Sequence, residues 1–153
     1  MANAIEHLDN LHNNAYILSP LLESFFENTE QREKDILLSY LVLPLLLHKE
    51  SSVKIKNSNI KSSIYTIFSS PSIIYGLNDR VYTFKGVTNK CLLLSSMEKS
   101  LSINSDMSVN FINKNMDNAF CNRDHLRAAA QLAKLFNSHD IVEIFRKLGV
   151  TNL

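Results

Sequence analysis

From Ile36 to Leu47 the chain reads Ile-Leu-Leu-Ser-Tyr-Leu-Val-Leu-Pro-Leu-Leu-Leu, with no charge until His48 and Lys49 follow. A helix that spans a bilayer needs about 20 predominantly apolar residues, so this run is too short to cross one. A helix apolar on every side must be covered on every side. The segment is therefore expected to be a central helix, covered by the rest of the chain or, over part of its surface, by a partner protein. Pro44 removes the amide bond to the carbonyl of Tyr40, so the helix should kink or end near it.

The 153 residues are enough for one domain with its own core, and 45% apolar residues argue against disorder. With only 3 Gly and 3 Pro there is little turn punctuation, which favours helices over many short strands. Cys91 and Cys121 have neither metal-ligand nor redox spacing and suit a reducing compartment. The N-terminus has no basic patch followed by an apolar stretch, so a soluble, cytoplasmic protein with no membrane contact is expected. Charge is unevenly spread. Residues 1–50 hold 3 basic and 8 acidic side chains, residues 51–100 hold 7 and 2, and the remainder 6 and 5. An acidic front and a basic middle suit an acidic partner, nucleic acid or a neighbouring subunit, or charges that simply meet each other or water.

Along the chain, residues 1–12 read as a polar lead-in. Leu18, Leu21, Leu22 and Phe25 recur at helical spacing, which predicts a helix from Ala15 to about Glu27. Thr29 reads as the N-cap of the apolar helix, and His48 with Lys49 as the cationic last turn that its dipole favours. Residues 50–63 are rich in Ser, Lys and Asn, and Val53-Lys-Ile-Lys56 alternates as a short exposed strand would. Ile60, Ile64 and Phe68 suggest a helix over 59–69, and Pro71 and Gly76 a loop. Residues 80–85 alternate like a strand or enter a helix. Val87, Cys91, Leu94 and Leu101 suggest a helix from about Thr88 to Leu101. Residues 107–112 alternate as a strand that could pair through an Asn-rich loop around Asn113. A helix starting near Asn122 carries Leu126, Ala130, Ala133 and Phe136. Ser138 and Glu143 read as a capping box for a last helix, which Gly149 closes.

Chemistry is sparse. Gly76, Gly86 and Gly149 stand alone, so no glycine-rich phosphate loop is formed, and no serine sits in a nucleophile turn. Asp124-His125 and His139-Asp140 lack further histidines at metal-ligand spacing, and His139 reads as an exposed capping position. His48 could move a proton, though a helix end more simply explains it. These observations point away from an enzyme, with no cofactor, no metal and no catalytic residue expected. The strongest surface candidate is 75–90, where Tyr75, Tyr82 and Phe84 interleave with Arg80, Lys85 and Lys90. Aromatics and arginine anchor protein interfaces, and the same mixture can stack bases and hold phosphates. Alternatively Tyr82 and Phe84 are core and the cations are solvated.

Three stretches, Asn14-Ala-Tyr-Ile-Leu-Ser-Pro-Leu-Leu, Tyr40-Leu-Val-Leu-Pro-Leu-Leu-Leu-His-Lys and Ala133-Lys-Leu-Phe-Asn with Ile141-Val-Glu-Ile-Phe-Arg-Lys-Leu-Gly-Val, occur in that order. Together they resemble the middle-component proteins of bacterial three-component ABC-ATPase systems, while residues 51–120 match poorly. Ser51-Ser-Val-Lys-Ile-Lys stands where such proteins carry Arg-x-x-Leu-Pro. The resemblance implies a small non-enzymatic adaptor beside an SMC-like ABC ATPase and a variable effector protein in an anti-phage defence system. Any DNA contact would come through the complex.

The expectation is a mainly α fold with a minor β-hairpin, a compact helical domain for which a winged-helix-like arrangement is one option. The candidate partner-binding residues are Tyr75, Arg80, Tyr82, Phe84 and Lys85. A small winged-helix DNA-binding regulator is the alternative function. Against it, no helix is densely basic and net charge is near neutral.

Overall fold

The computed structural model describes Ala4, residues 14–114 and residues 121–153. The lead-in expected over 1–12 lies outside the described residues, apart from Ala4. The fold is mainly helical with a two-stranded antiparallel hairpin. Helix α1 (Ala15–Glu27) begins where the Asn14 side chain accepts the amide of Tyr16 at 2.9 Å, satisfying one free N-terminal donor. It buries Leu18, Leu21, Leu22, Phe25 and Phe26, the expected stripe extended by one residue.

The apolar run starts differently from expectation. Thr29 caps no N-terminus; its hydroxyl donates back to Phe25 O at 2.7 Å and so finishes α1. Residues 28–34 turn the chain, with Lys34 in the left-handed region at φ 62°. A 3-10 turn (Asp35–Leu38) then leads into α2 (Ser39–Leu46). Leu41, Val42, Leu43, Leu45 and Leu46 are each 0% exposed, so the chain itself covers this helix. It packs against α1 and three later helices: α3 (Lys49–Lys56), α6 (Leu77–Met97) and α7 (Arg123–Asn137). The helix ends two residues after Pro44, close to the break that the missing amide leaves in its ladder.

His48 does not close α2. Its backbone is extended and its Nδ1 accepts the amide of Ser51, which makes it the N-cap of α3. Residues 53–56 are accordingly helical rather than a strand. The buried face of α3 is Ser51, Ser52 and Ile55, with the Ser51 hydroxyl donating to Leu45 O at 2.6 Å. Four residues of alternation fit either geometry, and here the hydroxyls take core positions. Among the described residues no single helix is long and apolar enough to cross a membrane. Asp35–Leu46 and α3 reach the length only together, and they meet at a 109° bend.

The helix expected over 59–69 shrinks to α4 (Ile64–Ile67), capped by a reciprocal Ser63–Thr66 box. Ile64 and Phe68 are buried but Ile60 is fully exposed, so the stripe loses its first member. Pro71 opens the one-turn α5 (Pro71–Ile74), where its missing N–H costs nothing. Helix α6 runs from Leu77 to Met97, eleven residues earlier than expected at its start, and Leu101 lies beyond it. Strands β1 (Leu101–Ile103) and β2 (Val109–Phe111) pair with Leu101 opposite Phe111. The strand expected at 107–112 is thus present, but its partner precedes it, and the turn is Asn104–Ser108 rather than the loop around Asn113. Asp106 Oδ1 braces that turn by accepting the amide and hydroxyl of Ser108.

Helix α7 starts at the Asn122 cap, as expected, and buries Ala128, Ala129, Leu132, Ala133, Leu135 and Phe136. Phe136 meets Phe25 of α1 edge to face at 6.1 Å between ring centroids. Ser138 ends α7 and caps nothing further. It lies five residues before Glu143, whereas a capping box needs three. Asp140 occupies the N-cap position of α8 (Ile141–Leu148), which Gly149 closes at φ 70°.

One buried charge stands out. Glu23 on α1 is 1% exposed, and neither carboxylate oxygen has a hydrogen-bond partner among the described residues. Burial lifts its pKa above the ordinary 4.5 and Glu98 pushes the same way, while Lys114 pulls it back. The Ser100 hydroxyl itself donates to Ser95 O, so it gives Glu23 no proton to accept. A raised folded-state pKa means that the protonated carboxyl contributes stability that is fully present at and below the unfolded value. That contribution is lost as pH rises through the folded value. Glu23→Met should therefore stabilise the chain by about 1 kcal/mol near neutral pH. The gap from wild type should close on acidification in denaturant titrations. A gap unchanged with pH would contradict this account.

Candidate functional site

The segment 71–90 is organised by an arginine. Tyr75 leaves α5 in an extended conformation, and Gly76 at φ 73° turns the chain into α6, a geometry glycine adopts without strain. One turn later Arg80 folds back. Its Nη2 donates to Ile73 O at 2.8 Å, Nη1 to Tyr75 O at 3.0 Å and Nε to Pro44 O at 3.3 Å. These carbonyls lie at the ends of α2 and α5, where no helical amide reaches them. Arg80 thus joins α2, α5 and α6. Its charge also helps to depress the His48 pKa, behind the larger effect of burial.

The five candidate residues separate. Arg80 is half-buried and turned onto carbonyls, and Phe84 packs against the core. Tyr75 and Tyr82 are 85% and 84% exposed. Lys85 is half-buried and shares with Tyr82 a shallow cleft of about 380 Å³ closed by Asn78 and the C-terminal residues Thr151, Asn152 and Leu153. Asn78 pins that tail, donating to Gly149 O at 2.9 Å and accepting the amide of Thr151 at 3.3 Å. The tail and Asn78 carry no signal in the sequence. Leu93 and Met97, 63% and 70% exposed on the same helix, could have been found. They share a face with Tyr82 once the helix is started at Leu77 rather than Thr88.

A second cluster surrounds His139, which is partly covered and lies outside any helix rather than at an exposed capping position. Its Nδ1 is 3.2 Å from Glu143 Oε1, the same oxygen that accepts the Tyr65 hydroxyl at 2.5 Å. The Tyr65 hydrogen bond, followed by His139, holds the Glu143 carboxyl below its usual range. Tyr65 also meets His139 edge to face, with Lys147 5.7 Å from its ring centre. The arrangement ties α4 to α8 and borders a cavity of about 380 Å³ lined in part by Ser58, Gln131 and Lys134. Asp124 instead pairs with Lys56 at 3.4 Å. Among the described residues no three His, Cys, Asp or Glu side chains gather as metal ligands would.

No curated protein and no solved structure shows significant similarity to this sequence. The family model for the ABC-three component (ABC-3C) system Middle Component 3 matches residues 2–152, including the stretch 51–120 that the three sequence blocks left open. The second of the three sequence blocks, Tyr40–Lys49, is the buried α2 and the His48 cap, so that part of the resemblance rests on the core. With a match over nearly its whole length, the chain belongs to the Middle Component 3 family of ABC-three component systems.

Proposed function

We propose that this protein is a non-enzymatic adaptor that holds together an SMC-like ABC ATPase and a variable effector in a bacterial anti-phage defence system. The observation that carries this reading is the family match itself, since a middle component implies two further components as partners. The surface supports it: two tyrosines stand almost fully exposed on the segment 75–90, beside Lys85. Such residues supply large contact areas at small entropic cost and are enriched where interfaces are held. In this mechanism nucleotide or DNA binding changes the shape of the ATPase, and the adaptor relays or restrains the effector. Tyr75, Tyr82 and Lys85 are the contacts, with Phe84 and Arg80 shaping the surface from beneath. DNA is met through the complex.

The test is to tag this chain and express it with its native gene neighbours. What remains bound after nuclease and moderate salt is then identified by mass spectrometry. Recovery of the large ATPase, with or without an effector, is the expected result. Recovery of the chain alone, with DNA present in the untreated sample, would overturn it in favour of a DNA-binding regulator, whose affinity should fall steeply with salt.

A further inference from the structure

Among the described residues nothing requires glycine at position 86. It lies in the interior of the 21-residue α6 with ordinary helical backbone and is solvent-exposed. A Cβ built there would meet nothing within 4 Å. Glycine in a helix interior is less favourable than alanine by about 1 kcal/mol. Among the described residues no turn, close contact or positive φ offsets that cost.

The surroundings of Gly86 supply a reason. At about 100° per residue, Gly86, Leu93 and Met97 fall within about 20° of the line opposite the buried row Leu77, Thr88 and Ser95, and Tyr82 within about 40°. An exposed strip of Tyr, Gly, Leu and Met thus runs for about 22 Å along the outside of α6. A missing side chain at its middle lets another backbone approach closely, with large apolar side chains on either side to grip it. From these features we infer that the outer face of α6 is the seat of an α-helix from another component of the system, crossing at Gly86.

Charge selects the kind of helix. Lys85 and Lys90 lie within one turn of Gly86, whereas Asp79 is about two turns away at the helix start. A second copy of this chain crossing at the same point would set lysine against lysine. The occupant is therefore an amphipathic helix whose apolar ridge is flanked by Asp or Glu. The inference rests on the adaptor reading for the protein that carries that helix.

The experiment uses the full chain and the purified ATPase and effector encoded beside it. Gly86→Gln adds a good helix former in open space, so the variant should melt about 3 °C above wild type. It should nevertheless bind one component about tenfold or more weaker, because the new side chain holds the partner backbone away. Lys85→Glu with Lys90→Glu should weaken the same component and leave the melting temperature close to wild type. If wild type binds a component and Gly86→Gln binds it equally, the inference fails and the adaptor reading stands. If wild type binds neither component, both fail. Self-association lost in Gly86→Gln would overturn the acidic partner in favour of a second copy.

Discussion

Asp35→Ala should lower the unfolding free energy by about 3 kcal/mol, read as a shifted urea midpoint with little change in slope. Asp35 is 0% exposed at the start of the 3-10 turn. Its Oδ1 accepts Val109 N of β2 at 2.8 Å and its Oδ2 accepts Arg32 N at 3.0 Å. Two further bonds cross the same junction, Lys34 N to Asp106 O and Ile36 N to Met107 O. Arg32 in turn donates to Phe136 O and His139 O at the end of α7. One carboxylate thus fixes the hairpin and the approach to α2. Burial raises the Asp35 pKa, so the charge itself is held at some cost, and alanine relieves that cost. The larger effect is that alanine leaves two amides without acceptors. Asp35→Asn should recover at most one bond, since its NH₂ then faces a second donor. Hydrogen exchange at Val109 should accelerate in both variants. A loss under about 1 kcal/mol for Asp35→Ala would show that water replaces the carboxylate at no great cost.

What the sequence made legible follows from where apolar side chains coincide with buried positions. In α1 and α8 the buried row is mostly Leu, Ile and Phe, and Gly149 marks the end, so spacing alone locates both helices. In α3 two of the three buried positions are Ser51 and Ser52, so a core-facing helix reads as polar linker. In α6 the buried row includes Thr88 and Ser95, while Leu93 and Met97 face water. Leu77, Val81, Val87, Cys91 and Leu92 do face inward, but the exposed Leu93 and Met97 blur the stripe, and alternation at 80–85 disguises its first turns. The apolar residues left outside, Leu93 and Met97, are the ones that form the strip around Gly86. The candidate site was legible as composition but not as arrangement. Nothing local tells which of Tyr75, Arg80, Tyr82, Phe84 and Lys85 turns inward, because the carbonyls that claim Arg80 belong partly to a helix that ends 34 residues before it.

Arg80→Ala is the change that separates structure from recognition in this segment. It should destabilise the chain by about 2–3 kcal/mol, because the carbonyls of Ile73, Tyr75 and Pro44 lose their donor together and α5 loses its tie to α2. Arg80→Lys should recover little. A single ammonium lacks the fork that reaches three carbonyls on two sides of the guanidinium. The His48 pKa should rise in Arg80→Ala, since one of the two effects that depress it is the Arg80 charge. Burial, the larger one, still holds it below its ordinary value, and the imidazole resonances report the change directly. Tyr82→Ala offers the contrast. Its side chain is 84% exposed and should change stability by no more than about 0.5 kcal/mol. Any loss of partner binding in that variant belongs to the surface. If Arg80→Ala instead unfolds like wild type but no longer holds its partner, the guanidinium must leave those carbonyls in the complex. Arg80 would then be a contact released on assembly rather than the clamp that joins α2, α5 and α6.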